Sequence, residues 1–237
     1  SVVHEALGIH REIAGTQTHT DVLPDIKRTD ANVNNICLTI STNGAHSTSD
    51  VEVNSFVQQV LDAKSVGDRK KDIIDKIFDD SITDTQTKFY PLVAMLFRVM
   101  GLDCQASRPG DNGARWDAII VDSEESIPIE IKSPTEEQHL SLKAIRQALE
   151  NKVILLSRGT HPTLPETTSL AVGYYLPNDR AEVTNLMSDF KTAFGYNIGI
   201  IDLKTLLTIA VTIVYDEKTF DISELNRLEG FANATFN

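Results

Sequence analysis

Three side chains carry the clearest chemical signal in the chain: Asp117, Glu130 and Lys132. Asp117 lies in the run WDAIIVD (116–122), and Glu130 and Lys132 lie two apart in IPIEIKS (127–133). The alternation of Ile127, Ile129 and Ile131 against Glu130 and Lys132 predicts a β-strand. In a strand, residues i and i+2 share a face, so the acid and the ammonium leave together, on the side opposite Ile129 and Ile131. The SEES stretch (123–126) predicts a tight turn. Antiparallel pairing across it brings Asp117 within reach of the other two. On a one-sided sheet, Glu130 and Lys132 would be a solvated ion pair and nothing more. Asp117 weighs against that reading, because an acid beside the apolar run AIIV needs a partner or a metal ion.

Two acids and one cation at a point suit phosphodiester hydrolysis. That reaction needs a hard cation to neutralise charge and to make hydroxide from water at neutral pH. Mg²⁺ prefers carboxylate oxygens and keeps several waters. Asp117 and Glu130 are the expected metal ligands, with the carbonyl of Ile131 as a third; Mn²⁺ is an expected substitute for Mg²⁺. Lys132, a compact cation, would position the attacking water or stabilise the pentavalent phosphorane.

The elements that must place these groups follow from periodicity. Apolar residues at three-to-four spacing predict helices over Glu52–Ala63, Asp68–Phe78 and Thr85–Met100, the last stopped by Gly101. LDCQAS (102–107) reads as a short strand, and RPGDNGAR (108–115) as a turn-rich approach loop. Beyond the 116–133 hairpin, the expected order is a helix over Ser141–Asn151 and a strand KVILLS (152–157). A buried strand SLAVGYYLP (169–177), a helix Asn178–Phe194, a strand YNIGIIDL (196–203) and a helical tail ending in SELNRLEGFANA follow. Helices joined to strands in this order predict an α/β fold, a mixed central sheet flanked by helices. Residues 1–50 are apolar-poor, with one strand expected at Asn35–Ser41, and residues 1–66 are read as an arm, helical extension or linker.

Composition bounds the function. With 41% hydrophobic and 24% charged residues, the 237-residue chain can bury a sizeable core. The net charge of −12 argues against a protein that coats nucleic acid unaided, since phosphate binding needs Lys and Arg. Cys37 and Cys104 lie far apart and in no zinc-like spacing, which favours a reduced, cytoplasmic chain without a zinc site. The longest apolar run, Leu203–Val214, is broken by Lys204 and three threonines, so no membrane span is expected. No signal peptide is expected, and the chain starts at Ser1, as a trimmed chain, a fragment of a longer protein, a tag remnant or a processed terminus would. There is no GxSxG, no GxxxxGK[ST] and no GxGxxG, which leaves triad, triphosphatase and dinucleotide readings without support. His4 and His10 with Glu5 and Glu12 do not form HExxH and read as surface residues. His139 and His161 flank the site as loop residues. Arg108 and Arg115 either touch phosphate or pair with Asp103 and Asp111, and Trp116 reads as a core aromatic.

The stretch GARWDAIIVDSEESIPIEIKS resembles the motif of the PD-(D/E)xK nuclease superfamily: an acid, a hairpin, then ExK on the adjacent strand. Trp116 stands where the motif has proline. The resemblance implies Asp117 and Glu130 as metal-binding acids and Lys132 as the catalytic lysine. It also implies a polar residue on the next helix, and KAIRQALEN (143–151) offers Gln147, with Lys143, Arg146 and Arg115 as DNA-contact candidates. Many members carry a further acid on the helix before the core; here TQTKFYPLVAMLFRVMG has no Glu, and Asp84 and Gln86 are weak stand-ins. The layout of about residues 70–237 is similar to the cleavage domains of type IIS, FokI-like restriction endonucleases, with the nuclease domain expected over 67–237. That implies a prokaryotic, magnesium-dependent endonuclease acting on double-stranded DNA, tethered to a DNA-recognition domain or subunit and active as a homo- or heterodimer. The alternatives are another DNA-processing nuclease of the superfamily (repair, methyl-directed or transposition), or a catalytically silent assembly module of the same fold. The intact Asp/Glu/Lys trio argues against the last.

Overall fold

A computed structural model of the chain describes residues 50–107 and 115–232. The strand expected at Asn35–Ser41, Cys37, His4, His10 and Arg108 lie outside these residues. Seven helices and six strands occupy the described residues. They run α1 (Val51–Ser65), α2 (Lys70–Asp80), α3 (Gln86–Val99), β1 (Cys104–Ala106), β2 (Ala118–Ile120), β3 (Ile127–Lys132), α4 (Leu142–Arg158) and β4 (Ser169–Gly173). Then come α5 (Arg180–Phe194), β5 (Ile198–Asp202), α6 (Leu203–Asp216), α7 (Ser223–Asn226) and β6 (Gly230–Phe231). The sheet keeps chain order, β1 to β6. β1, β2 and β3 pair antiparallel, and β4, β5 and β6 continue from β3 in parallel. This is an α/β fold with a mixed sheet.

The strand alternation decides the layers. Ala118, Ile120, Ile127, Ile129, Ile131, Leu170 and Val172 bury one sheet face in the same apolar cluster as α1, α3 and α6. Ala171, Ile198 and Ile200 bury the other face against α4 and α5, through Ala144, Ile145, Ala148, Val183 and Met187. Each fully buried Leu or Ile is worth roughly 1.5–3 kcal/mol of transfer free energy. Several helix starts are marked by side-chain caps. Asp50 accepts the Glu52 and Val53 amides at 3.1 Å, Ser141 the Ala144 amide at 3.3 Å, and Asp202 the Thr205 amide at 2.8 Å.

Two expectations need correction, the strand at 152–157 and the helical tail. KVILLS (152–157) is not a strand: α4 runs unbroken from Leu142 to Arg158 and ends at Gly159 in the left-handed region, φ 58°. A short apolar run does not distinguish a buried strand from a helix, and here Lys152 and Leu155 continue the inward stripe of Ala144 and Ala148. The run Leu203–Val214 forms α6, the most apolar helix, with Leu203, Leu206, Leu207, Ala210, Val211, Ile213 and Val214 buried. The tail is helical only over Ser223–Asn226 and then pairs as β6 with β5. The helix at 51–65, read as part of an N-terminal extension, buries Val53, Phe56, Val57 and Val60 in the same cluster as α3 and α6. No described helix is long and apolar enough to cross a membrane.

Candidate active site

Glu130 and Lys132 leave β3 on the α4 side of the sheet, because Ile129 and Ile131 fill the opposite face. They are not solvated. The Lys132 Nζ donates to Glu130 Oε1 at 2.7 Å, with side-chain exposures of only 12% and 4%. Burial works against the Lys132 ammonium, but the hydrogen bond and charge of Glu130 outweigh it and hold its pKa above the ordinary lysine value.

Asp117 joins them through a local irregularity. Its amide donates to the Ile129 carbonyl at 3.0 Å, yet Ile129 is the register partner of Ala118. Two residues of β2's approach thus share one partner, as in a β-bulge, and such a step re-aims a side chain. The Asp117 Oδ2 accepts the amide of Ile131 at 2.8 Å, between the two charged residues of β3. Burial first, and then the charge of Glu130, push the Asp117 carboxyl up to about 7. The Ile131 carbonyl leaves the strand on the same edge as its amide, toward Asp117.

The donor set fits a hard divalent cation: two desolvated carboxylates that repel each other, with a backbone carbonyl beside them. Burial raises the Asp117 carboxyl most, and the charge of Glu130 adds to it. No group of three or more His, Cys, Asp or Glu side chains gathers around one point among the described residues.

The facing helix contributes more than sequence reasoning assigned to it. Ala144 and Ala148, both fully buried, let α4 lie close over β3. One turn beyond Gln147, Asn151 donates through Nδ2 to Glu130 Oε2 at 2.9 Å, with both residues 3% exposed. Gln147 itself makes no bond to the trio, and its buried Oε1 has no partner among the described residues. Arg115, Lys143 and Arg146 are exposed, and no hydrogen bond or ion pair ties them to Asp117, Glu130 or Lys132. Trp116 is a core aromatic, buried with Ile119 and Leu155 and edge-on to His161 at 6.1 Å between ring centres. His139 stacks on Tyr175 and bonds the Leu176 carbonyl at 3.0 Å.

A second group went unnoticed in the sequence. Glu136, in the loop after β3, accepts the Ser133 amide at 3.0 Å, the Ser133 hydroxyl at 2.8 Å and the Tyr90 hydroxyl at 3.1 Å. Gln86, a weak candidate for a missing acid, bonds the other oxygen of Glu136. Burial opposes the Glu136 charge, but these bonds win and hold its carboxyl below the usual value. Burial and the charges of Asp117 and Glu136 push the Tyr90 phenol well above its ordinary range, so it stays a donor. The legible signals were Ser133-x-x-Glu136, which has the spacing of a capping box, and Asn151, a polar residue on an apolar helix stripe.

No family model and no curated protein matches the chain. Among solved structures, it is similar to one described as restriction endonuclease FokI bound to DNA, with 13% identity and a TM-score of 0.46. That likeness covers 78% of this chain and 34% of the other, so the chain spans about a third of that structure's length.

Proposed function

We propose that the chain is a magnesium-dependent endodeoxyribonuclease, the cleavage domain or subunit of a type II or IIS restriction endonuclease. One observation carries the reading: the Asp117 carboxyl accepts the Ile131 amide, and the residues on either side of Ile131 are a buried Glu130 and a half-buried Lys132. Structural ion pairs at a sheet surface do not need a second, desolvated acid beside them. The PD-(D/E)xK spacing in the sequence supports the same assignment.

Asp117 and Glu130 would hold the cation, with the Ile131 carbonyl as a third ligand. Bound Mg²⁺ supplies neutralisation of phosphate charge and a bound water acidic enough to deprotonate at neutral pH. Lys132, held protonated by Glu130, acts as a cation and hydrogen-bond donor rather than as a base. It orients a water or a non-bridging phosphate oxygen and stabilises negative charge as it develops. Gln147, on the facing helix and with a buried oxygen that has no partner among the described residues, would orient a water. Arg115, Lys143 and Arg146 are free to meet the phosphate backbone. Hydrolysis leaves 5′-phosphate ends, and double-strand cleavage requires two such sites, hence a dimer.

The test is plasmid cleavage in Mg²⁺, and again in Mn²⁺, by wild type, Asp117→Ala and Lys132→Ala. Wild type is expected to nick the plasmid, and each variant to lose at least about a hundredfold in rate. An inert wild type, or alanine variants as fast as wild type, would end this reading.

A further inference from the structure

Glu130 is held from two layers of the fold at once. Lys132, on its own strand, takes Oε1 at 2.7 Å; Asn151, on α4, takes Oε2 at 2.9 Å. The terminal torsion of a Glu side chain is broad, so a carboxylate bound through one oxygen still rotates. Two donors on two oxygens fix its plane. Lys132 is the less dependable of the pair, because the proposed reaction needs its ammonium at the phosphate. When Lys132 turns to substrate, Asn151 is the side-chain donor that stays on Glu130 beside the cation.

The position of Asn151 is otherwise costly. It lies in the interior of α4, on the stripe Ala144, Ala148 and Leu155, all fully buried. Asn is a poor helix former and costs free energy when buried without a partner. A neutral amide holds the acid without adding a third negative charge or a competing cation. Gln147, one turn earlier, does not touch Glu130, so the two amides are not interchangeable.

We propose that Asn151 is the positioning residue for Glu130: its side-chain amide holds Oε2 so that the carboxylate keeps its orientation beside Asp117 while Lys132 is released to the phosphate. This rests on the metal-dependent nuclease reading of the site.

The test is Mn²⁺ binding to the DNA-free chain, by calorimetry or electron paramagnetic resonance, for wild type and Asn151→Leu. Leucine keeps the size and removes the donor. Its Mn²⁺ affinity is expected to fall about 10- to 100-fold, the usual effect of losing a group that orients a ligand. The Mg²⁺ concentration for half-maximal cleavage should rise in parallel, with the KM for DNA within about twofold of wild type. A second measurement needs no folded variant. In wild type, the Asn151 side-chain amide resonances should shift on Mg²⁺ addition, as the cation draws charge from Glu130. Wild-type protein that takes up no Mn²⁺ overturns the nuclease reading and this inference together. Normal uptake by wild type with equal uptake by Asn151→Leu, or amide resonances indifferent to Mg²⁺, overturns the Asn151 assignment alone.

Discussion

At the scale of single residues, Asp117 makes a prediction that needs no substrate. Burial, with Glu130 next, raises its folded pKa to about 7 from an ordinary 3.8. Between those values the folded state keeps a proton that the unfolded state has lost. Stability therefore falls as pH rises from about 4 to about 7, and the penalty is complete above that. Asp117→Asn should remove it. The variant is expected to gain on the order of 1 kcal/mol over wild type at pH 8, and nothing near pH 4, in urea titrations. The same substitution removes one charge of the proposed metal site, so stability gained with activity lost would mark strain held for function. Glu136 and Tyr90 show why part of the site was not legible. Their neighbourhood is made by α3 and the loop after β3, 46 residues apart in sequence, and no local pattern links them.

At the scale of elements, α4 is where the sequence misled and where the fold holds a second buried charge. The misread run 152–157 begins with Lys152, fully buried, its Nζ on Thr163 Oγ1 at 2.7 Å. Burial pushes this lysine down to about 8 from 10.5. Between those values the unfolded state holds the proton and the folded state does not, so stability rises with pH across that window. Lys152→Met should gain about 1–2 kcal/mol at pH 7, with the gain shrinking by pH 10, as thermal or urea unfolding would show. The Thr163 hydroxyl loses nothing essential, since it still donates to the Ser126 carbonyl at 2.8 Å. α6 gives the opposite case. Leu207 is fully buried in the core shared with α1 and α3, and Leu207→Ala is expected to cost 2–5 kcal/mol, measured by the same unfolding. A hydrophobic run interrupted by Lys204 and three threonines has no strict period, yet it folds as a helix because core packing on several sides rewards it.

At the scale of the whole molecule, charge governs how the proposed activity would be delivered. A net charge of −12 opposes association with DNA. On its own it is expected to cleave weakly, with a rate that drops steeply between 50 and 200 mM salt, about where phosphate contacts are screened. Fusion to a foreign DNA-binding domain should restore cleavage near that domain's target and flatten the salt dependence, because tethering raises the local concentration. Equal cleavage by free and fused chains would remove the case for a recognition partner.

Taken alone, the sequence determined the trio and its strand. Period-two alternation places Glu130 and Lys132 on one face, and a short turn sets Asp117 near them. It also determined the mixed sheet, since antiparallel hairpins and helical crossovers leave different spacings. Only the tertiary structure decided that this face lies under a helix rather than in water, that a bulge swings Asp117 onto the Ile131 amide, and that Asn151 closes over Glu130. Those outcomes depend on which layers meet. Local residue pattern encodes an element and its apolar face, whereas the partner across the gap is selected by packing among segments distant in the chain.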